Sequence, residues 1–91
     1  MKATLKDLFL AENSYIIEIP INDEYYLFVE GLDENGCTNT YRDEFSIEHI
    51  KTFCVELMDD ENVLDNIDSI DVTLDTTIEE LKQKATDVLA E

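Results

Sequence analysis

The segment YIIEIPINDEYYLFVE, residues 15–30, decides the fold class because it contains a complete β-hairpin pattern. Apolar side chains alternate along residues 15–21 with the period of two that is typical of a strand. Asn22-Asp23-Glu24 predicts a turn. Residues 25–30 are rich in aromatic and branched side chains and predict the second strand. Pro20 cannot donate a hydrogen bond to a neighbouring strand, so we expect the first strand to end at a sheet edge.

Two further strands are predicted downstream of the hairpin. Asn35-Gly36 is a strong signal for a type I′ turn, and it predicts a third strand over residues 37–42. Ile70, Val72 and Leu74 alternate with polar residues, which predicts a brief strand over residues 70–74.

Helical periodicity marks the remaining segments. Thr4 precedes a short helix that ends near Ala11, and Thr77 caps a last amphipathic helix. Ser46 is a good N-cap for a helix that we expect to run to about Met58. A short additional helix is predicted over residues 63–67. The chain is therefore predicted to be a single acidic α+β domain, residues 1–91. Its small antiparallel β-sheet is a hairpin plus one or two further short strands, with two or three amphipathic helices packed on one face.

Charge is the feature that departs most from the average domain. The 91 residues include 23 acidic and 6 basic side chains, a net charge of −17, whereas a small domain usually carries roughly 2–8 charges of one sign in excess. Hydrophobic residues make up 44% of the chain, so it can fold and is not an acidic tail. Residues 23–75 hold sixteen of the acidic residues and two of the basic ones. The charge is therefore concentrated in the middle of the chain.

This concentration predicts a surface that contacts a basic partner. Acidic residues three or four apart on a helix, or two apart on a strand, lie roughly 5–7 Å apart, which is of the same order as neighbouring phosphates. Tyr26 adds an aromatic side chain of a type enriched at interfaces. The residues predicted to bind the partner are Asp33, Glu34, Asp43, Glu44, Asp59, Asp60, Glu61, Asp65, Asp68, Asp71, Asp75 and Tyr26.

Several other functions are not expected from the sequence. A calcium loop centred on Gly36 would need ligands at Gly31 and Arg42, which cannot serve. One histidine and two dispersed cysteines fall short of a structural zinc set. We therefore expect no catalysis, no metal and no cofactor. Six scattered basic residues disfavour direct nucleic-acid binding. No signal peptide or apolar span is visible, so we expect no membrane contact and a cytoplasmic location in a bacterial host cell.

In size and charge, the chain resembles anti-CRISPR and DNA-mimic proteins. That resemblance implies an inhibitor from a phage or mobile element that occupies the basic site of a nucleic-acid-binding enzyme or effector. An alternative is an immunity protein or antitoxin that neutralises a basic nuclease, because Tyr25-Tyr26 after Asp23-Glu24 is similar to the paired tyrosines of colicin immunity proteins. A second alternative is an acidic structural or halophilic domain without a specific partner.

Overall fold

The structure, a computed structural model, describes residues 2–37, 45–60 and 62–90. Within them, four antiparallel strands form one sheet in the order β1-β2-β3-β4. The strands are β1 (Ile16–Pro20), β2 (Tyr25–Leu32), β3 (Thr52–Asp59) and β4 (Asn62–Ile67), and the helices are α1 (Leu5–Glu12) and α2 (Ile78–Leu89). The predicted α+β class with a small antiparallel sheet is confirmed. Pro20 ends β1, which lies at the sheet edge as expected.

Both terminal helices begin where the sequence predicts. The Thr4 side chain accepts the Asp7 N–H at 3.3 Å, and the Asp7 carboxylate accepts the Thr4 N–H at 2.9 Å, which completes a capping box for α1. Asn13 ends α1 in the left-handed conformation. The Thr77 side chain accepts the Glu80 N–H at 3.1 Å and caps α2. Local capping chemistry thus positions both helices.

The starts of the two helices are tied to each other by backbone hydrogen bonds. Thr4 and Thr77 form an antiparallel bridge. On either side of it, the Leu5 N–H donates to the Thr76 carbonyl at 3.0 Å and the Ile78 N–H donates to the Ala3 carbonyl at 2.9 Å. We call this pairing the helix-start bridge.

The helix predicted from Ser46 to about Met58 is wrong. Ile47–His49 form a single 3-10 turn, and the Ser46 side chain makes no capping hydrogen bond. Residues 52–59 form β3, in which Phe53, Val55 and Leu57 alternate with less buried residues. The segment contains apolar residues at helical spacing, Ile50, Cys54 and Leu57, and also at strand spacing, and pairing with β2 along its whole length decides for the strand.

The predictions between residues 59 and 74 are also wrong. Residues 63–67 lie in β4 instead of a short helix, because Asp60 adopts a left-handed φ of 43° and turns the chain into a second hairpin. The β3–β4 pairing shifts register at Leu57/Met58, which leaves Leu64 as an extra residue. Residues 70–74 form turns and coil instead of a strand. Of the predicted third strand, Cys37 is in coil and residues 38–42 lie outside the described residues.

The core is built from alternate strand residues and from one side of each helix. Ile17, Val29, Val55 and Ile67 are paired in one row across all four strands, and each is buried. These residues belong to one cluster that also contains Leu5 and Phe9 of α1 and Leu81 and Ala85 of α2. We call the sheet face that carries this row the inner face.

The intervening strand residues form what we call the outer face. Its paired rows are Ile16–Glu30–Cys54, Glu18–Phe28–Glu56 and Pro20–Tyr26–Met58. Glu18 and Pro20 are exposed, and the others are partly buried. Apolar and acidic side chains therefore alternate on this face. In the described part of the chain, neither helix is long and apolar enough to cross a bilayer.

Candidate protein-binding site

Two turns meet at one end of the sheet and order each other. Asn22 begins the β1–β2 turn, and its side-chain oxygen accepts the N–H groups of Glu24 and Tyr25 at 2.8 and 2.9 Å. Asp60 lies in the β3–β4 turn, and its carbonyl accepts the Tyr26 hydroxyl at 3.0 Å. Because β2 and β3 are antiparallel neighbours, this hydrogen bond links the two turns directly. The side chain of Tyr26 is held in place at the end of the outer face.

An open depression of about 410 Å³ lies between these turns. Its lining residues are acidic, polar or ring-bearing. They are Glu18, Pro20, Asn22, Asp23, Glu24, Tyr25, Tyr26 and Asp60. We call it the acidic–aromatic depression.

The chemistry of the depression favours a cation. Four acidic residues line it, and none of the lining residues that the structure describes is a lysine, arginine or histidine. Ammonium and guanidinium groups form charge-assisted hydrogen bonds with carboxylates, and they are attracted to tyrosine rings. A volume at the lower end of the range for ligand clefts, about 300–1,000 Å³, suits a single side chain of a partner. The depression can therefore bind a lysine or arginine side chain by charge and by stacking.

The residues predicted from sequence are distributed over several parts of the molecule. Tyr26 and Asp60 line the depression. Asp59 precedes Asp60 in the chain, and one of its carboxylate oxygens is buried and has no hydrogen-bond partner among the described residues. Glu34 is exposed in the turn that follows β2. Asp43, Glu44 and Glu61 lie outside the described residues.

Asp33 has a local structural role. It is only 9% exposed, and its Oδ1 accepts the N–H groups of Asn35 and Cys37 at 2.9 and 3.0 Å. These two hydrogen bonds order the turn after β2. The carboxylate is thus engaged inside the protein, and a direct contact between Asp33 and a partner stays a prediction.

The run of Asp65, Asp68, Asp71 and Asp75 is exposed, but it does not lie on one helix or strand. Asp65 is in β4, and the other three are in the connection from β4 to α2. The regular helix or strand spacing expected for these carboxylates is therefore wrong.

The connection is nevertheless well anchored. The Ser69 hydroxyl donates to the Phe53 carbonyl at 2.8 Å, and Asp68 accepts the Ile70 N–H at 3.0 Å. Val72 is buried in the core, whereas Ile70 is 87% exposed. The acidic side chains of this connection are thus displayed on an ordered segment together with an exposed apolar side chain.

The structure also brings together residues that the sequence did not single out. Glu18, Asp23 and Glu24 join the depression, although they were not among the predicted contacts. The pair Asp23-Glu24 directly before Tyr25-Tyr26 was a usable signal. Glu18 had none, because only the β1–β2 register places it near the turn.

Side chains of types that can bind metal ions converge at one place that the sequence did not indicate. Glu30, Cys54 and Glu56 are the described residues whose ligand atoms converge. His49 is not among them, and its Nδ1 lies 3.0 Å from the Tyr15 hydroxyl. Both cysteines are free thiols, Cys37 exposed and Cys54 partly buried.

No known protein family, curated protein or solved structure matches this chain.

Proposed function

We propose that the protein is a non-catalytic acidic inhibitor that acts as a nucleic-acid mimic. In this proposal it occupies the basic nucleic-acid-binding site of a partner protein in the cytoplasm of a bacterial host cell. It serves a phage or mobile element as an anti-defence protein of the anti-CRISPR or anti-restriction kind. Leu5 and Phe9 of α1 and Leu81 and Ala85 of α2 pack into the core of the inner face. The proposal therefore assigns the partner to the outer face and its end.

The acidic–aromatic depression is the observation that carries the proposal. A solvated acidic surface needs charge alone, but here four carboxylates surround two tyrosines in a concave site. Aromatic side chains combined with charge are typical of interface anchors. The proposal assigns the depression to a lysine or arginine side chain that otherwise contacts a phosphate.

The net charge of −17 supports the same partner chemistry. Long-range attraction to a basic surface accelerates association, and it weakens as salt screens it. The ion pair between Lys2 and Glu79, at 3.1 Å, joins two exposed side chains and neutralises little of this charge. Most of the acidity thus remains available to a partner.

A second candidate function is an immunity protein or antitoxin for a basic nuclease. The specific observation in its favour is that Tyr25 and Tyr26 both line the depression together with Asp23 and Glu24. Adjacent residues of a strand point to opposite faces, yet beside the turn both residues line one site. Such a site suits a cationic active centre equally well.

A displacement assay on defined partners tests both functions. CRISPR effectors, restriction endonucleases and colicin-type nucleases are each loaded with fluorescent DNA and titrated with the protein at about 50 and 200 mM salt. We expect displacement from at least one effector or restriction enzyme, with much weaker displacement at the higher salt. Displacement from the nucleases alone would favour the immunity function, and displacement from none would contradict both.

Matched variants locate the contact. Asp23→Asn, Glu24→Gln and Asp60→Asn together remove three charges from the depression, and we expect at least about tenfold weaker displacement, about 1.4 kcal/mol. The control removes three exposed charges from the helices, with Glu12→Gln, Glu80→Gln and Asp87→Asn. Equal weakening by both triple variants would show that the charge acts without a defined site.

A further inference from the structure

Three side chains of types that can bind metal ions converge on the outer face, on the two central strands. Glu30 in β2 and Cys54 in β3 are direct cross-strand partners. Glu56 follows Cys54 by two residues and therefore lies on the same face. One carboxylate oxygen from each glutamate and the Cys54 Sγ all lie within 4.8 Å of one another, and all three side chains are partly buried.

These distances fit a small tetrahedral ion. Zinc binds thiolate sulfur at about 2.3 Å and carboxylate oxygen at about 2.0–2.2 Å, which separates tetrahedral ligand atoms by roughly 3.3–3.8 Å. Because the three atoms lie within 4.8 Å of one another, tetrahedral binding needs them to approach by at most about 1.5 Å. Strand pairing holds the three Cα positions, so the ligands are brought together by the fold itself.

The donor set selects the class of metal. Calcium and magnesium prefer oxygen ligands only, whereas a thiolate favours zinc and other softer ions. The sulfur lies between two carboxylates, and this arrangement distinguishes the cluster from the acidic groups elsewhere on the surface. Burial, together with the carboxylates of Glu56 and Glu30, raises the pKa of the Cys54 thiol.

We propose that Glu30, Cys54 and Glu56 bind one Zn²⁺ ion, with a water molecule in the fourth position. Cys54 binds as the thiolate, and its proton passes to the solvent. The ion cross-links β2 and β3 on the outer face. This site is separate from the acidic–aromatic depression and does not depend on the proposed inhibitor function. No sequence motif marks this site, because Glu30 and Cys54 lie on two strands and are 24 residues apart in the chain.

Cobalt(II) provides a direct probe of the sulfur ligand. The full-length protein is stripped with a chelator, kept reduced and titrated with Co²⁺. We expect a thiolate-to-cobalt charge-transfer band in the near ultraviolet that saturates at one equivalent and disappears when Zn²⁺ is added. Cys54→Ser abolishes the band, whereas Cys37→Ser retains it because that exposed thiol lies outside the cluster.

Competition with a zinc-sensitive dye measures how much each of the two carboxylates contributes to Zn²⁺ affinity. Glu30→Gln and Glu56→Gln are each expected to weaken Zn²⁺ binding at least about tenfold, the lower end of the loss seen even for residues that only orient metal ligands. Glu18→Gln is the charge-matched control on the same face. Zn²⁺ also raises the melting temperature of the wild type, because it binds only the folded state, and this rise is absent in Cys54→Ser.

The proposal fails if Co²⁺ gives no thiolate band, or if the band survives in Cys54→Ser. It fails equally if the wild type, Cys54→Ser and Glu18→Gln bind Zn²⁺ with the same affinity, since the ion is then held only by the general negative charge. Circular dichroism of each variant before titration shows that it is folded, so that loss of binding is attributable to the ligand.

Discussion

Substitution of Gly31 by alanine tests how closely β2 approaches the segment that leads into β3. A Cβ atom at Gly31 would lie 2.7 Å from Cδ1, 2.9 Å from Cγ1 and 3.1 Å from Cγ2 of Ile50. Ile50 is 6% exposed, so its side chain has little room to move away. The glycine is therefore required here by a close approach of packed atoms.

Two opposing terms set the magnitude of the Gly31→Ala effect. Overpacking of a filled core costs about 1–3 kcal/mol. Replacement of glycine by alanine reduces the entropy of the unfolded chain and returns about 0.4–1 kcal/mol. We expect the free energy of unfolding to fall by about 1–2 kcal/mol. In a domain of this size each kcal/mol lowers the melting temperature by about 4–8 °C.

A double-mutant cycle in urea attributes this loss to Ile50. Ile50→Val removes Cδ1, the atom in the shortest contact, and alone costs about 0.5–1.5 kcal/mol. In the presence of Gly31→Ala it also removes the shortest of the three close contacts, so the double variant is expected to lose at least about 0.5 kcal/mol less than the two single losses combined. Additive losses, or a Gly31→Ala protein as stable as the wild type, would refute the packing argument.

Three further predictions concern a helix cap, a buried hydroxyl and a thiol. Thr4→Ala removes the capping box of α1 and is expected to cost about 0.5–2 kcal/mol in thermal unfolding, while Thr4→Ser stays within a few tenths of the wild type. Tyr15→Phe removes the hydroxyl that accepts the Ser46 N–H at 3.0 Å; urea unfolding should show a loss of about 1–2 kcal/mol, and no loss would mean that water replaces the hydroxyl. The raised pKa of Cys54 means that its thiolate forms at a higher pH than usual. In metal-free protein at pH 8, mass spectrometry should therefore find that iodoacetamide modifies Cys54 more slowly than Cys37, and equal rates would contradict this. Because the folded state holds this proton more tightly than the unfolded state, the associated stability is lost as the pH rises through the folded pKa of Cys54.

Local signals carried the correct part of the fold prediction. Capping residues placed α1 and α2, and the alternation in residues 15–30 placed β1 and β2. These elements are specified by residues close together in the chain. A sequence pattern is reliable when capping, turn chemistry and apolar periodicity agree.

The prediction failed where long-range pairing decides the structure. Residues 52–59 have apolar side chains that satisfy either a helix or a strand, and only the partner strand β2 resolves the choice. The turn at Asp60 has no glycine, so the hairpin it forms was not recognised. The consequence was that β4 was predicted as a helix.

The candidate site was predicted in its chemistry but not in its location. Charge and Tyr26 were recognised in the sequence, and two of the lining residues, Tyr26 and Asp60, were among the predicted contacts. The concave arrangement depends on two turns that lie 36 residues apart in the chain and meet only in the sheet. Composition can predict the sign of a surface's charge, whereas prediction of the surface's shape requires the register of the strands.

The helix-start bridge connects the segment that precedes α1 to the start of α2. Ala3 and Thr4 hold the backbone at Thr77 and Ile78, so cutting away only these first residues also frees the start of the last helix. Loss of this short segment is therefore expected to weaken the packing of both Leu5 and Leu81 in the core, although 75 residues separate them in the sequence. We therefore expect removal of residues 1–4 to reduce the cooperativity with which α1 and α2 unfold.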